Sequence, residues 1–345
     1  MTTITGATDL RGVGTRSLTP VRVWLYAVAI LIVTMILIGG ATRLTDSGLS
    51  ITEWQPIHGT IPPLNEAEWQ EEFAKYQQIP QYRERNAGMT LAEFKTIFWW
   101  EFVHRLWGRL IGVVYAVPLV WFVLRGQVRG RLAWRLGGIF VLGGLQGALG
   151  WYMVKSGLVD RVSVSQYRLT AHLGLALLIY AATLWTALDL LRPTGSATRF
   201  SRAALAFSAL VFVTILAGGF VAGLDAGMSY NTFPLMDGRF VPAGYLDETP
   251  WWANLFENVA AVQFNHRVLA MTTLVGALAL AFAGRASRAQ GLALVTGGMA
   301  LLQVALGIST LLLVVPIPLA AAHQAGAVAL LTFALATAHA ARIKP

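Results

Sequence analysis

Long apolar runs separated by short polar stretches set the pattern of this chain. Eight runs reach the roughly 18–20 residues that a helix needs to cross a bilayer. They are Val23–Leu44, Ile97–Leu124, Trp134–Val154, Arg168–Leu191, Ala204–Leu224, Asn258–Gly284, Gln290–Val315 and Pro318–Ala341, here spans 1 to 8. The pattern predicts an all-α polytopic membrane protein. Between spans 1 and 2, Trp69, Phe73 and Tyr76 recur at i, i+4 and i+7. That spacing predicts an amphipathic helix over Asn65–Gln78, lying on the outer membrane face or lidding the bundle. Thr90 and Glu93 then form an S/T-x-x-E capping box, so the helix of span 2 should begin before the membrane does.

Composition agrees. Only 12% of the 345 residues are charged and 56% are hydrophobic, about half the charge of a soluble protein. The net charge of +9 resides in short loops. Arg11, Arg16 and Arg22 precede span 1; Arg125, Arg129, Arg131 and Arg135 follow span 2; Arg192, Arg199 and Arg202 follow span 4. Arg285 and Arg288 follow span 6, and Arg342 and Lys344 end the chain. This alternation is a topology signal rather than a nucleic-acid patch. It puts both termini in the cytoplasm and the long loops Asp46 to Lys95 and Asp225 to Glu257 outside, as in a multi-pass protein of the bacterial inner membrane. Residues 1–22 read as a polar cytoplasmic tail before an uncleaved first helix. The chain has no cysteine, which excludes disulfides, zinc–thiolate sites, iron–sulfur clusters and thiol catalysis.

The two halves of the sequence repeat. Gly39-Gly40 and the residues to Ser50 match Gly218-Gly219 to Ser229; Glu101-Phe102-Val103-His104-Arg105 matches Gln263-Phe264-Asn265-His266-Arg267. Leu145-Gln146 to Gly150 matches Leu302-Gln303 to Gly307, and Ala171-His172 matches Ala322-His323. Four spans per copy preserve orientation. The expected architecture is therefore two pseudo-symmetric four-helix bundles, 23–195 and 196–345, joined near Arg192–Arg202 and related by an axis along the membrane normal. Gly143 and Gly147 offer a small-xxx-small packing edge within the first bundle.

Four of the six histidines, His104, His172, His266 and His323, occupy matched positions near the outer ends of spans 2, 4, 6 and 8. A single membrane histidine often serves only as a hydrogen-bond partner between helices. Four at one depth, two per bundle on different helices, is instead the arrangement that clasps a haem iron. Zinc or copper would want a third ligand, and no residue of suitable type is present in both copies. His58 and His339 have no repeat partner and read as structural. Glu101 breaks the symmetry, for its counterpart is Gln263. It either pairs structurally with Arg105 at i+4, or makes the first bundle reactive as a proton acceptor or charge stabiliser. Arg105 and Arg267 would reach haem propionates or snorkel to lipid phosphates.

The segments Arg43–Trp54, Met89–Lys95, Glu101–Arg109 and Tyr230–Met236 together resemble the haem A synthase family, in its alphaproteobacterial and mitochondrial branch. That resemblance implies oxidation of a ring methyl of haem O to a formyl group, giving haem A for cytochrome oxidase. It implies that His266 and His323 hold haem b as an electron carrier, that His104 and His172 face the haem O substrate, and that Glu101 is catalytic. Haem O synthase would supply the substrate; the electron acceptor and the oligomeric state stay open. Some relatives carry a cysteine pair in an outer loop, and a thiol step of that kind cannot operate here. Two axial histidines suit dioxygen activation poorly, which favours stepwise electron removal and attack by water. Two competing classes are a di-haem b-type cytochrome that only moves electrons and a parallel-repeat transporter with midplane polar sites.

Overall fold

The computed structural model describes residues 17–54, 58–160, 162–191 and 195–342. Arg11, Arg16, Arg192 and Lys344, and all but the end of the expected cytoplasmic tail, lie outside the described residues. Ten α-helices occur among the described residues: α1 Thr19–Leu44, α2 Glu66–Tyr76, α3 Pro80–Glu84, α4 Leu91–Leu124, α5 Gly130–Asp160, α6 Gln166–Leu191, α7 Arg199–Gly223, α8 Val259–Ala283, α9 Gln290–Leu312 and α10 Ile317–Ala340. Eight of these are long and apolar enough to cross a membrane, one for each apolar run.

Their boundaries follow local chemistry. Thr90 Oγ1 accepts from Glu93 N at 3.3 Å, and Glu93 Oε2 accepts from Thr90 N at 2.8 Å. This reciprocal cap starts α4 at Leu91, six residues before the apolar run. Asn65 caps α2 by accepting from Glu68 N at 3.0 Å. The apolar face of α2 docks on that early part of α4: Trp69 meets Phe98 at 4.9 Å between ring centroids and Phe73 meets Phe94 at 5.1 Å. Of the two sites foreseen for this helix, it takes the one on the bundle. Near the C-terminal ends of α6 and α10, His339 Nε2 lies 3.0 Å from Asp189 Oδ1, tying α10 to α6.

Among the first four spans, α1 packs on α4 and α6, and α5 on α6; among the last four, α7 packs on α8 and α10, and α9 on both. The seam between the two groups is made by α1 with α10, α6 with α7, and α6 with α10. The Gly-Gly pairs allow the close approach. A Cβ on Gly219 would stand 3.0 Å from Thr170 Oγ1 of α6, and one on Gly40 would collide with Gln324 of α10. The second glycine of each pair thus faces the other group across the seam. Gly143 and Gly147 do not form the expected packing edge: no protein atom lies within 4 Å of where their Cβ atoms would be. In α5 these positions face open space, because α4 meets α5 only sparsely while α8 runs closely along α9.

Candidate functional site

The four matched histidines lie toward the N-terminal ends of α4, α6, α8 and α10, and each has a glycine on a neighbouring helix behind its ring. A Cβ would stand 3.5 Å from His104 Nε2 at Gly39, 3.0 Å from His172 Cε1 at Gly150, 3.1 Å from His266 Cε1 at Gly218 and 2.7 Å from His323 Cε1 at Gly307. A side chain at Gly307 would push the His323 ring aside, one at Gly150 or Gly218 would crowd its imidazole, and one at Gly39 would just touch His104. The glycines are repeat-matched as the histidines are, but spacing along the chain does not link them. His104 and His172 lie within electrostatic reach of one another, as do His266 and His323. So each group of four spans brings its own pair together.

Matched glutamines hold the second histidine of each pair. Gln146 Nε2 donates to the carbonyl of His172 at 3.0 Å, and Gln303 Nε2 to that of His323 at 2.9 Å, with His323 Nδ1 3.1 Å from the same nitrogen. Their conservation between the two copies was visible in the sequence; their role was not. The His266 ring lies beside the Thr214 backbone, while His172 Nδ1 is shielded from solvent and has no hydrogen-bond partner. Buried polar atoms are rarely left so. Paired imidazoles on different helices and the glycines set against each ring fit a flat, iron-centred ligand held between each pair. Among the described residues no group of three His, Cys, Asp or Glu side chains could hold a bare metal ion.

Glu101 is 2% exposed and accepts four hydrogen bonds. Ser50 Oγ and Ile51 N donate to Oε2 at 2.7 and 2.8 Å, and Arg105 Nε and Nη2 donate to Oε1 at 3.0 and 2.5 Å. Arg105 also donates to the carbonyls of Ile51 and Glu53 at 2.6 and 2.9 Å. Glu101 and Arg105 therefore pin the outer loop over the His104 helix. The second copy repeats the frame without the charge: Gln263 Nε2 donates to Ala226 O at 2.8 Å, and Arg267 donates to Gln263 Oε1, Tyr230 O and Thr232 O. The arginines are thus loop anchors in this structure rather than snorkelling side chains. A further tie crosses the seam between the loops after α1 and α7. Arg43 reaches Asp46 at 3.2 Å and Asp225 at 2.6 Å, two matched aspartates that share a left-handed backbone at φ 51 and 52. Outside the spans, burial pushes the Tyr76 phenol above its ordinary range. The hydrogen bond from Asn86 opposes this, and the nearby Asp46 and Glu101 carboxylates add to it.

With this geometry in hand, the comparisons are direct. The COX15-CtaA family model, described as a cytochrome oxidase assembly protein, matches residues 22–335. The chain is 54% identical over 333 residues to a heme A synthase of Nitrosospira multiformis, covering 93% of each chain. It is 53% identical over 327 residues to one of Rhodospirillum centenum, covering 92% of this chain and 87% of that one. With one of Rhodopseudomonas palustris it shares 52% identity over 341 residues, 96% of this chain and 93% of the relative.

Proposed function

The chain belongs to the COX15-CtaA family, and from that premise we propose how its two groups of four spans share the work. The activity is that of an oxidoreductase of haem biosynthesis in a membrane, converting haem O to haem A. On our reading, the first four spans form the reactive bundle and the last four an electron-carrying one.

In the first bundle His104 and His172 hold haem O from its two faces, Gly39 and Gly150 fixing their rings. The open face of α5 at Gly143 and Gly147 supplies room for the porphyrin. Glu101, one turn outward from His104 on the same helix face, accepts a proton or balances positive charge developing on the substrate. In the second bundle His266 and His323 are the residues that would hold haem b, which supplies electron transfer when bound; Gln303 and Gly307 set the ring of His323. The basic inner loops support an inner-membrane orientation with both termini cytoplasmic.

The observation that carries this reading is a single difference within two otherwise matched frames: a buried carboxylate at Glu101, an amide at Gln263. Since the second copy keeps its loop and helix with the amide, Glu101→Gln should fold and bind haem. Chromatography of haems extracted from cells expressing the protein with haem O synthase is the test. Haem A should appear with the native chain and fall by roughly a hundredfold with Glu101→Gln, as for loss of a positioned proton-transfer group. An unchanged yield of haem A would overturn the role of Glu101. His266→Ala with His323→Ala should remove resident haem b from the purified protein, whereas His104→Ala with His172→Ala should leave it bound.

A further inference from the structure

Beside Arg105 the structure has a cavity of about 240 Å³ at the outer mouth of the first four spans, between the loop after α1, α4 and the end of α5. Thr52, Glu53, Trp54, Arg105, Trp151 and Lys155 line it. Arg105 is fully engaged with Glu101 and the loop carbonyls. Glu53 is an acidic wall, but its carboxylate bonds Lys75 at 3.3 Å. That leaves Lys155, whose ammonium stands 5.0 Å over the ring of Trp151. Among the described residues it has no carboxylate partner.

Three facts give this lysine a direction. Lys155 follows Gly150, the glycine against His172, by five residues, about 7.5 Å further out along α5. It thus stands outward from the imidazole pair by about the reach of a porphyrin's carboxylate arms. Gly143 and Gly147 lie below it on the same helix, and Trp151, one turn after Gly147, lines the cavity. Finally, the repeat register that pairs Gly150 with Gly307 pairs Trp151 with Ile308 and Lys155 with Leu312. The copy that lacks the acid also lacks the cation.

We propose that Lys155 binds a carboxylate arm of the substrate porphyrin and so orients it in the first bundle. This rests on the reading of that bundle as the haem O site. Arg105 adds positive potential to the cavity while remaining bonded to the loop. The lysine would work by charge-assisted hydrogen bonding, fixing the rotation of the ring about its axis, and with it which ring methyl comes to lie near Glu101. Because its stem is apolar, it can also cover the mouth. The same ammonium could otherwise bind a lipid phosphate, and the experiment separates these.

The probe is haem O against its dimethyl ester, titrated by visible absorption into the purified full-length protein in detergent. The native chain should bind the acid roughly tenfold more tightly than the ester, the value of one hydrogen bond to a charged group. Lys155→Leu, the residue of the second copy, should bind the two alike at the level of the native chain with the ester, and Lys155→Arg should restore the preference. The resident haem spectrum of the variant reports that the fold is kept. A preference retained in Lys155→Leu assigns the lysine to lipid and overturns the proposal. So does equal weakening of both ligands, or a native chain indifferent to esterification. If His104→Ala with His172→Ala leaves haem O binding untouched, the first-bundle site itself fails, whatever Lys155 does.

Discussion

A glycine against an imidazole is a sensitive place to add one carbon. At Gly307 the added Cβ would meet His323 Cε1 at 2.7 Å, so the ring must leave its rotamer. That costs about 0.5–1.5 kcal/mol, or a roughly threefold to tenfold loss of ligation. Gly307→Ala should therefore weaken retention of resident haem on detergent dilution. Gly291→Ala in the same helix, with nothing within 4 Å, should not. Removal of a partner from a buried ion pair costs more. Arg105→Ala leaves Glu101, 2% exposed, without its guanidinium and should destabilise the protein by about 3–5 kcal/mol, read as a fall in thermal midpoint in detergent. Arg43→Ala breaks two contacts to aspartates that are 38% and 47% exposed. Such pairs contribute at most about 1 kcal/mol, so its midpoint should move little.

The outer helix α2 shows how an element can be legible and its place only half so. Trp69, Phe73 and Tyr76 at helical spacing foretold an apolar stripe, and the stripe is buried. It faces the extramembrane part of α4, where Phe94 and Phe98 continue the aromatic cluster, rather than lipid. Both partners were in the sequence, but periodicity states that a face must be covered, not by what. Trp69→Ala should cost about 3–5 kcal/mol of local packing and free α2. Limited proteolysis should then cut between 46 and 90 faster, while the spans stay protected. The glycines of α5 carry the opposite lesson. Gly143 and Gly147 have the spacing of a helix-packing motif, yet the close approaches occur at Gly40 and Gly219, and the α5 pair faces open space. Spacing records that small residues were kept; whether a helix or a ligand comes close is decided in three dimensions.

At the scale of the whole molecule, the seam matters most. Gly40 and Gly219 face across it, Gln324 donates to Ile36 O at 2.8 Å, and Arg43 ties the two outer loops. The seam joins α1 to α10 and α6 to α7, contacts that correspond in the sequence repeat. Orientation in the membrane can be checked directly because the chain has no native cysteine. In intact cells a membrane-impermeant maleimide should label Glu248→Cys in an outer loop and spare Ser196→Cys between spans 4 and 5.

Hydrophobic run length, basic loops and the repeat determined by themselves that the chain crosses a membrane eight times, and the departure of Glu101 from its copy pointed to one half for chemistry. Those properties are local or comparative, so they can be read along a line: a bilayer sets the length of an apolar helix whatever its neighbours, and a duplicated segment carries its own reference. Only the tertiary structure decided that Arg105 and Arg267 anchor loops, that glycines back each imidazole, that Gly143 and Gly147 face open space, and that Lys155 lines a cavity beside Arg105. Each of these depends on which residues from distant helices meet, and helix faces with similar apolar character do not encode that choice in their own spacing.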